Sequence, residues 1–138
     1  MMRHKKEKRH YPRLIFNEPQ KNIALLSSID EQEPKKNISA AILNMGEGGL
    51  QISLKRTCLK QQLKQGDKIM LNQFEGIGLE ELSSLTDITT QIVWIMDNEH
   101  LEHVLVGVAF DTISEEQRQI IRSFIQIRID LAQQKKTN

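Results

Sequence analysis

Short runs rich in Ile, Leu, Val and Ala, each five to eight residues long and separated by links that supply Gly, Pro, Asn or Asp, recur from Asn22 to Phe110. Runs of this length with turn residues between them predict strands. Six are expected: Asn22–Ile29, Asn37–Leu43, Leu50–Leu54, Lys68–Phe74, Thr89–Met96 and Val104–Phe110. The links at 30–36, 46–49, 64–67 and 97–103 supply residues suited to chain reversal, so most neighbours should be antiparallel. The segment Gly76–Leu85 has Leu79, Leu82 and Leu85 at helical spacing but is too short to assign.

After the last strand the pattern changes period. Ser114-Glu115-Glu116-Gln117 reads as a capping box opening a helix. Ile120, Ile121, Phe124, Ile127 and Leu131 then form an apolar stripe expected to face the sheet, with Arg118, Arg122 and Arg128 mostly in water. The polar end from Gln133 to Asn138 carries no cap signal and reads as a frayed tail. The expected fold class is an all-β core, a six-stranded antiparallel barrel, with a C-terminal α-helix. The domain spans 14–132, with a flexible basic arm at 1–13 and a polar tail at 133–138.

Composition narrows this only a little. The 138 residues are 38% hydrophobic and 27% charged, which suits one folded domain with a single core. One cysteine, Cys58, allows no internal disulfide, and no Cys/His set has zinc spacing, so no metal or other cofactor is expected. The basic N-terminus has no apolar run behind it, and nowhere do 18 apolar residues follow one another. A cytoplasmic location without membrane insertion is the expectation.

Charge is informative by position rather than in total. The net charge is +1, yet Arg3, Lys5, Lys6, Lys8, Arg9 and Arg13 crowd the first thirteen residues against Glu7 alone. Such a run is either a solvated tail or the place where an anion is met. With one Trp, one Tyr and four Phe for base stacking and this near-neutral total, binding to a nucleic-acid polymer is not expected.

Two elements carry candidate chemistry. In Arg9-His10-Tyr11-Pro12-Arg13 the proline disfavours a helix, and in an extended link the two arginines point to one side, their Cα atoms roughly 13 Å apart at about 3.3 Å per residue. A guanidinium can fork onto a phosphate or a guanine edge and can stack on a base. In Asn44-Met45-Gly46-Glu47-Gly48-Gly49 three glycines permit positive φ and close approach of backbone to a ligand, and Asn44 offers an amide that can pair with a base edge. A plain glycine-rich hairpin is the competing reading of this stretch.

In order along the chain, these elements resemble the PilZ family: an RxxxR stretch entering a six-stranded barrel, a [D/N]xSxxG turn, a strand similar to Gln91-Ile92-Val93-Trp94-Ile95, and one similar to Val106-Gly107-Val108-Ala109-Phe110 before a C-terminal helix. The resemblance implies a cyclic di-GMP receptor. Arg9 and Arg13 would hold the phosphates and guanines, Asn44 and the Gly49 turn would receive a guanine, and Lys8 would tune ligand stoichiometry. Gly46 departs from the pattern, which has serine there; a lost hydroxyl contact costs about 0.5–1.5 kcal/mol. The resemblance further implies a non-enzymatic adaptor whose arm orders on the ligand and which acts on a downstream protein partner in motility, biofilm or exopolysaccharide control. The alternative is a nucleotide-independent interaction module for pilus or flagellar assembly. His100 with His103, Glu80-Glu81 and Glu115-Glu116 do not assemble a metal or acid/base constellation from sequence.

Overall fold

Alternation of apolar and polar positions decides the architecture. Along β4 (Gly49–Lys55), Leu50, Ile52 and Leu54 are buried while Gln51 and Ser53 between them are not, the period-2 pattern of a strand with one face on a core. The computed structural model describes residues 13–18, 21–28, 37–59 and 62–137. Its strands are β1 (Leu14–Ile15), β2 (Asn22–Ser28), β3 (Ile38–Gly46), β4, β5 (Lys68–Gly76), β6 (Ile88–Met96) and β7 (His103–Phe110), followed by α1 (Glu115–Thr137). All pairings are antiparallel in the order β3-β2-β5-β6-β7-β4, and β4 pairs back onto β3, so six strands close a barrel with no free edge. The short β1 adds to β3 at Asn44 and Met45, beyond the stretch of β3 that β2 uses.

The six expected strands are all present. The largest difference is at β3, which continues through Asn44, Met45 and Gly46 instead of ending at Leu43, so the connection to β4 is a two-residue tip, Glu47-Gly48. None of Gly46, Gly48 and Gly49 has φ in the left-handed region, so of the two freedoms the glycines permit, positive φ and close approach, the first is not used here. Proximity explains two of them: a Cβ on Gly49 would run into the Val108 carbonyl, and one on Gly46 into Arg13.

Gly76–Leu85 forms a loop with one 3-10 turn, Glu80–Leu82. Gly76 and Gly78 take φ of 149° and 94°, and Leu79, Leu82 and Leu85 are all buried. They close one end of the barrel, where Ile121, Phe124 and Ile125 of α1 join the same core. The capping box forms as expected: the Gln117 N–H donates to Ser114 Oγ (3.0 Å) and the Ser114 N–H to Gln117 Oε1 (2.9 Å).

Three expectations about α1 need correction. Ile127 and Leu131 are 48% and 49% exposed rather than turned to the sheet, because the buried stripe runs through Ile121, Phe124 and Ile125. Nor are the arginines merely solvated, although they stay partly exposed: Arg122 is bound to Glu47, and Arg128 lies over the Phe124 ring at 4.5 Å while donating to the Gly78 carbonyl and to Glu81. The helix also runs on to Thr137, through the stretch from Gln133 that was expected to fray. Ala, Gln and Lys there are good helix formers, and cations suit a C-terminal turn. No helix among the described residues is long and apolar enough to cross a membrane.

Candidate ligand site on the barrel wall

Two irregularities in pairing create the site. On β3, Ile42 and Met45 both face the core although three positions apart, which is possible only because the register with β4 shifts between Ile42 and Asn44. Without the extra residue, Leu43, Asn44 would share the inward face of Ile42; with it, the amide turns outward. β6 repeats the device. Its register with β7 shifts between Ile92 and Trp94, Val93 is the extra residue, and the indole of Trp94 turns out of the barrel.

Cross-strand partners therefore align in two rows on the outer wall. The first runs Ile15, Asn44, Gln51, Gly107, Trp94. The second runs Gly46, Gly49, Ala109, Gln91, and then Lys68 of β5. The second row starts with side chains no larger than a methyl group, so it forms a flat floor beside the polar first row. Gly107 makes room for Trp94, since a Cβ on Gly107 would overlap the indole.

Arg13 precedes β1, whose register sets Leu14 opposite Met45, so Arg13 falls beside Gly46. Its Nε donates to Asn44 Oδ1 at 2.7 Å, Nη2 makes a longer contact of 3.4 Å to the Gly49 carbonyl, and Nη1 would lie 2.6 Å from a Cβ at Gly46. Asn44 Nδ2 in turn donates to Gln51 Oε1 at 2.6 Å, which orients the amide with its oxygen toward the guanidinium. A recess of about 200 Å³ opens here, lined by Arg13, Gly49, Gln51, Trp94, Gly107 and Ala109 among others. That is below the roughly 300–1,000 Å³ of a pocket enclosing a drug-sized ligand. A larger cleft of about 870 Å³ lies at the opposite end of β4 and β7, but Arg56 within it is bound to Asp97 and to the Asn98 and Leu101 carbonyls, closing a loop rather than facing a ligand.

Behind the floor, Glu47 is 6% exposed and accepts two hydrogen bonds from Arg122, at 3.0 and 2.6 Å, with Arg118 at 3.9 Å. The Arg122 hydrogen bonds hold its carboxyl below the usual value against the opposing effect of burial, and the charges of Arg122 and Arg118 act in the same direction as the bonds.

Of the residues expected from sequence, Arg13, Asn44, Gly46 and Gly49 come together here, while Lys8 and Arg9 lie outside the described residues. Gln51, Trp94 and Glu47 were not singled out as site residues. A glycine inside the strand Val106-Gly107-Val108 is a sign of close approach by another group, and it is the signal that points to Trp94.

A family model for the PilZ domain matches residues 7–126, a span that contains Arg13, the Asn44–Gly49 stretch and Trp94. The chain belongs to the PilZ domain family. No curated protein matches this PilZ domain in sequence. Among solved structures it is similar to the PilZ domain with c-di-GMP of YcgR from Escherichia coli, at 14% identity and TM-score 0.62, covering 95% of this chain and 98% of that one. It is also similar to YcgR from Escherichia coli in complex with c-di-GMP (14% identity, TM-score 0.64, 94% and 50% covered) and to the Bacillus subtilis inhibitor of motility MotI/DgrA (13%, TM-score 0.57, 91% and 52%). The chain spans about half the length of these last two. At such identities the likeness is one of fold.

Proposed function

We propose that this PilZ domain is a cyclic di-GMP receptor that acts as an adaptor rather than as an enzyme. The observation that carries the reading is the Arg13 guanidinium lying over the Gly46 and Gly49 floor and hydrogen-bonded to Asn44. A guanidinium beside a side-chain amide offers forked donors to a phosphate or a guanine O6/N7 edge and an amide to the base's pairing edge. Trp94, at the far end of the polar row, supplies a face on which a base can stack. The recess has room for one planar base, so a dinucleotide placed there stays open to solvent unless another segment covers it. The chain preceding Arg13, with Arg9 and Lys8, is attached at this spot and is the segment proposed to close over the ligand, Arg9 taking the second phosphate or guanine. Its ordering presents a changed surface to a downstream protein partner, in a cytoplasmic pathway controlling motility, biofilm or exopolysaccharide. The two solved YcgR structures with c-di-GMP support the ligand's identity by fold likeness.

Trp94 is the only tryptophan, so intrinsic fluorescence reads this surface directly. Titration with cyclic di-GMP should change its emission saturably, and cyclic di-AMP, lacking the guanine O6 acceptor, should require much higher concentrations. An emission indifferent to both nucleotides would favour the nucleotide-independent interaction module, for which Gly46 in place of the family serine is the one feature in favour.

A further inference from the structure

Between Gly46 and Gly49, Glu47 is the single side chain. The tip of the β3–β4 hairpin therefore has one handle, and that handle points away from the outer wall into α1. There it meets guanidinium groups from consecutive helical turns: Arg122 through two hydrogen bonds and Arg118 at 3.9 Å, the latter also 4.0 Å from Glu115 on its own helix. The carboxylate side chain is 7% exposed, whereas Arg122 is 41% exposed. Burial of the acid and the forked geometry of the pair restrict the tip to a narrow range of positions relative to the helix. Arg13 lies against the same stretch of backbone from the other side, 3.4 Å from the Gly49 carbonyl and over Gly46. The helix arginines thus hold one glycine-flanked tip from one face, and the ligand-facing arginine lies against the other.

We propose that Glu47 is a positioning residue for ligand binding: its ion pair with Arg122, assisted by Arg118, sets the hairpin tip that carries Gly46 and Gly49, and so couples occupation of the outer wall to α1. This rests on the reading of that wall as the cyclic di-GMP site. Coupling between two sites is reciprocal, so an anchored tip favours the ligand to the same degree that the ligand favours the anchored helix. Occupation of the site is read on α1, the element farthest along the chain from the basic arm.

The test is a double-mutant cycle with Glu47→Gln and Arg122→Gln in the full chain, each variant titrated with cyclic di-GMP and followed by amide hydrogen exchange with and without ligand. Without ligand, either substitution should speed exchange in the first two turns of α1 and leave β5 and β6 unchanged. Each should weaken binding about 5-fold or more, within the usual span of allosteric couplings. The double variant should bind no more weakly than the weaker single, because both remove one interaction, whereas unrelated structural damage would add. In the wild type, ligand should slow exchange in α1. Wild-type binding with unchanged affinity in both single variants overturns the positioning role and leaves the receptor reading standing. Additive losses in the double variant overturn it as well. No binding by the wild type overturns the receptor reading and this inference with it.

Discussion

Replacing Gly46 by serine restores the residue the family pattern has there and tests the site's geometry most sharply. Gly46 has no left-handed φ, so a side chain meets no backbone strain. Its Cβ would, however, stand 2.6 Å from Arg13 Nη1 and 3.1 Å from Cζ, inside contact distance. The obstruction is the far end of a flexible side chain, so the guanidinium swings off the floor, giving up the long 3.4 Å contact to the Gly49 carbonyl. That contact exceeds the ordinary N–H···O range and contributes little. The serine hydroxyl then adds a donor and acceptor at the ligand's edge, a net gain of about 0.5–1.5 kcal/mol, or roughly two- to tenfold in affinity. Gly46→Ala separates the two effects, since alanine moves Arg13 without supplying the hydroxyl. Calorimetric titration of wild type, Gly46→Ala and Gly46→Ser with cyclic di-GMP should rank serine tightest, with the serine-to-alanine difference in the stated range. Serine and alanine variants that bind equally would refute the placement of Gly46 and Asn44 at the guanine.

Gly49→Ala should destabilise the fold by about 1–3 kcal/mol in urea melts, because its methyl group would meet the Val108 carbonyl and β4 would have to move off β7. Gly107→Ala forces the Trp94 indole off its seat and should weaken ligand binding by about 1–3 kcal/mol if a base stacks there, seen by titration, with a change in free-protein fluorescence. The Glu47 carboxyl is held below its ordinary value of 4.5, so its contribution to stability is complete above that pH and is lost as pH falls through the lower folded-state value. Thermal unfolding as a function of pH should therefore fall less steeply below pH 4.5 in Glu47→Gln than in the wild type.

The barrel was legible because short apolar runs are bounded by turn residues, and the helix start because Ser114 and Gln117 form a reciprocal cap. The site was legible only in part. Asn44 stood out as an amide next to glycines, but its outward direction comes from the extra residue at Leu43, and strand periodicity alone would have turned it inward with Ile42. Trp94 was hidden in the same way by the extra residue at Val93. Bulges depend on the register of the partner strand, which local pattern does not encode. Glu47 was missed for another reason: its partner Arg122 is 75 positions away in sequence, and a charge on a helix face reads as solvated until tertiary packing supplies the acid. Ile127 and Leu131 show the reverse, apolar residues at helical spacing that the barrel surface does not reach.

Cyclic di-GMP binding through Arg13 is tested most directly by isothermal titration of the full chain and of Arg13→Ala at fixed ionic strength. Saturable heat is expected for the wild type and, for Arg13→Ala, a loss of about 1.5–3 kcal/mol in binding, the cost of removing a hydrogen bond to a charged group, with a cooperative melting transition that shows the variant to be folded. Absence of binding heat from a folded wild type, or equal affinity in the two proteins, would contradict it.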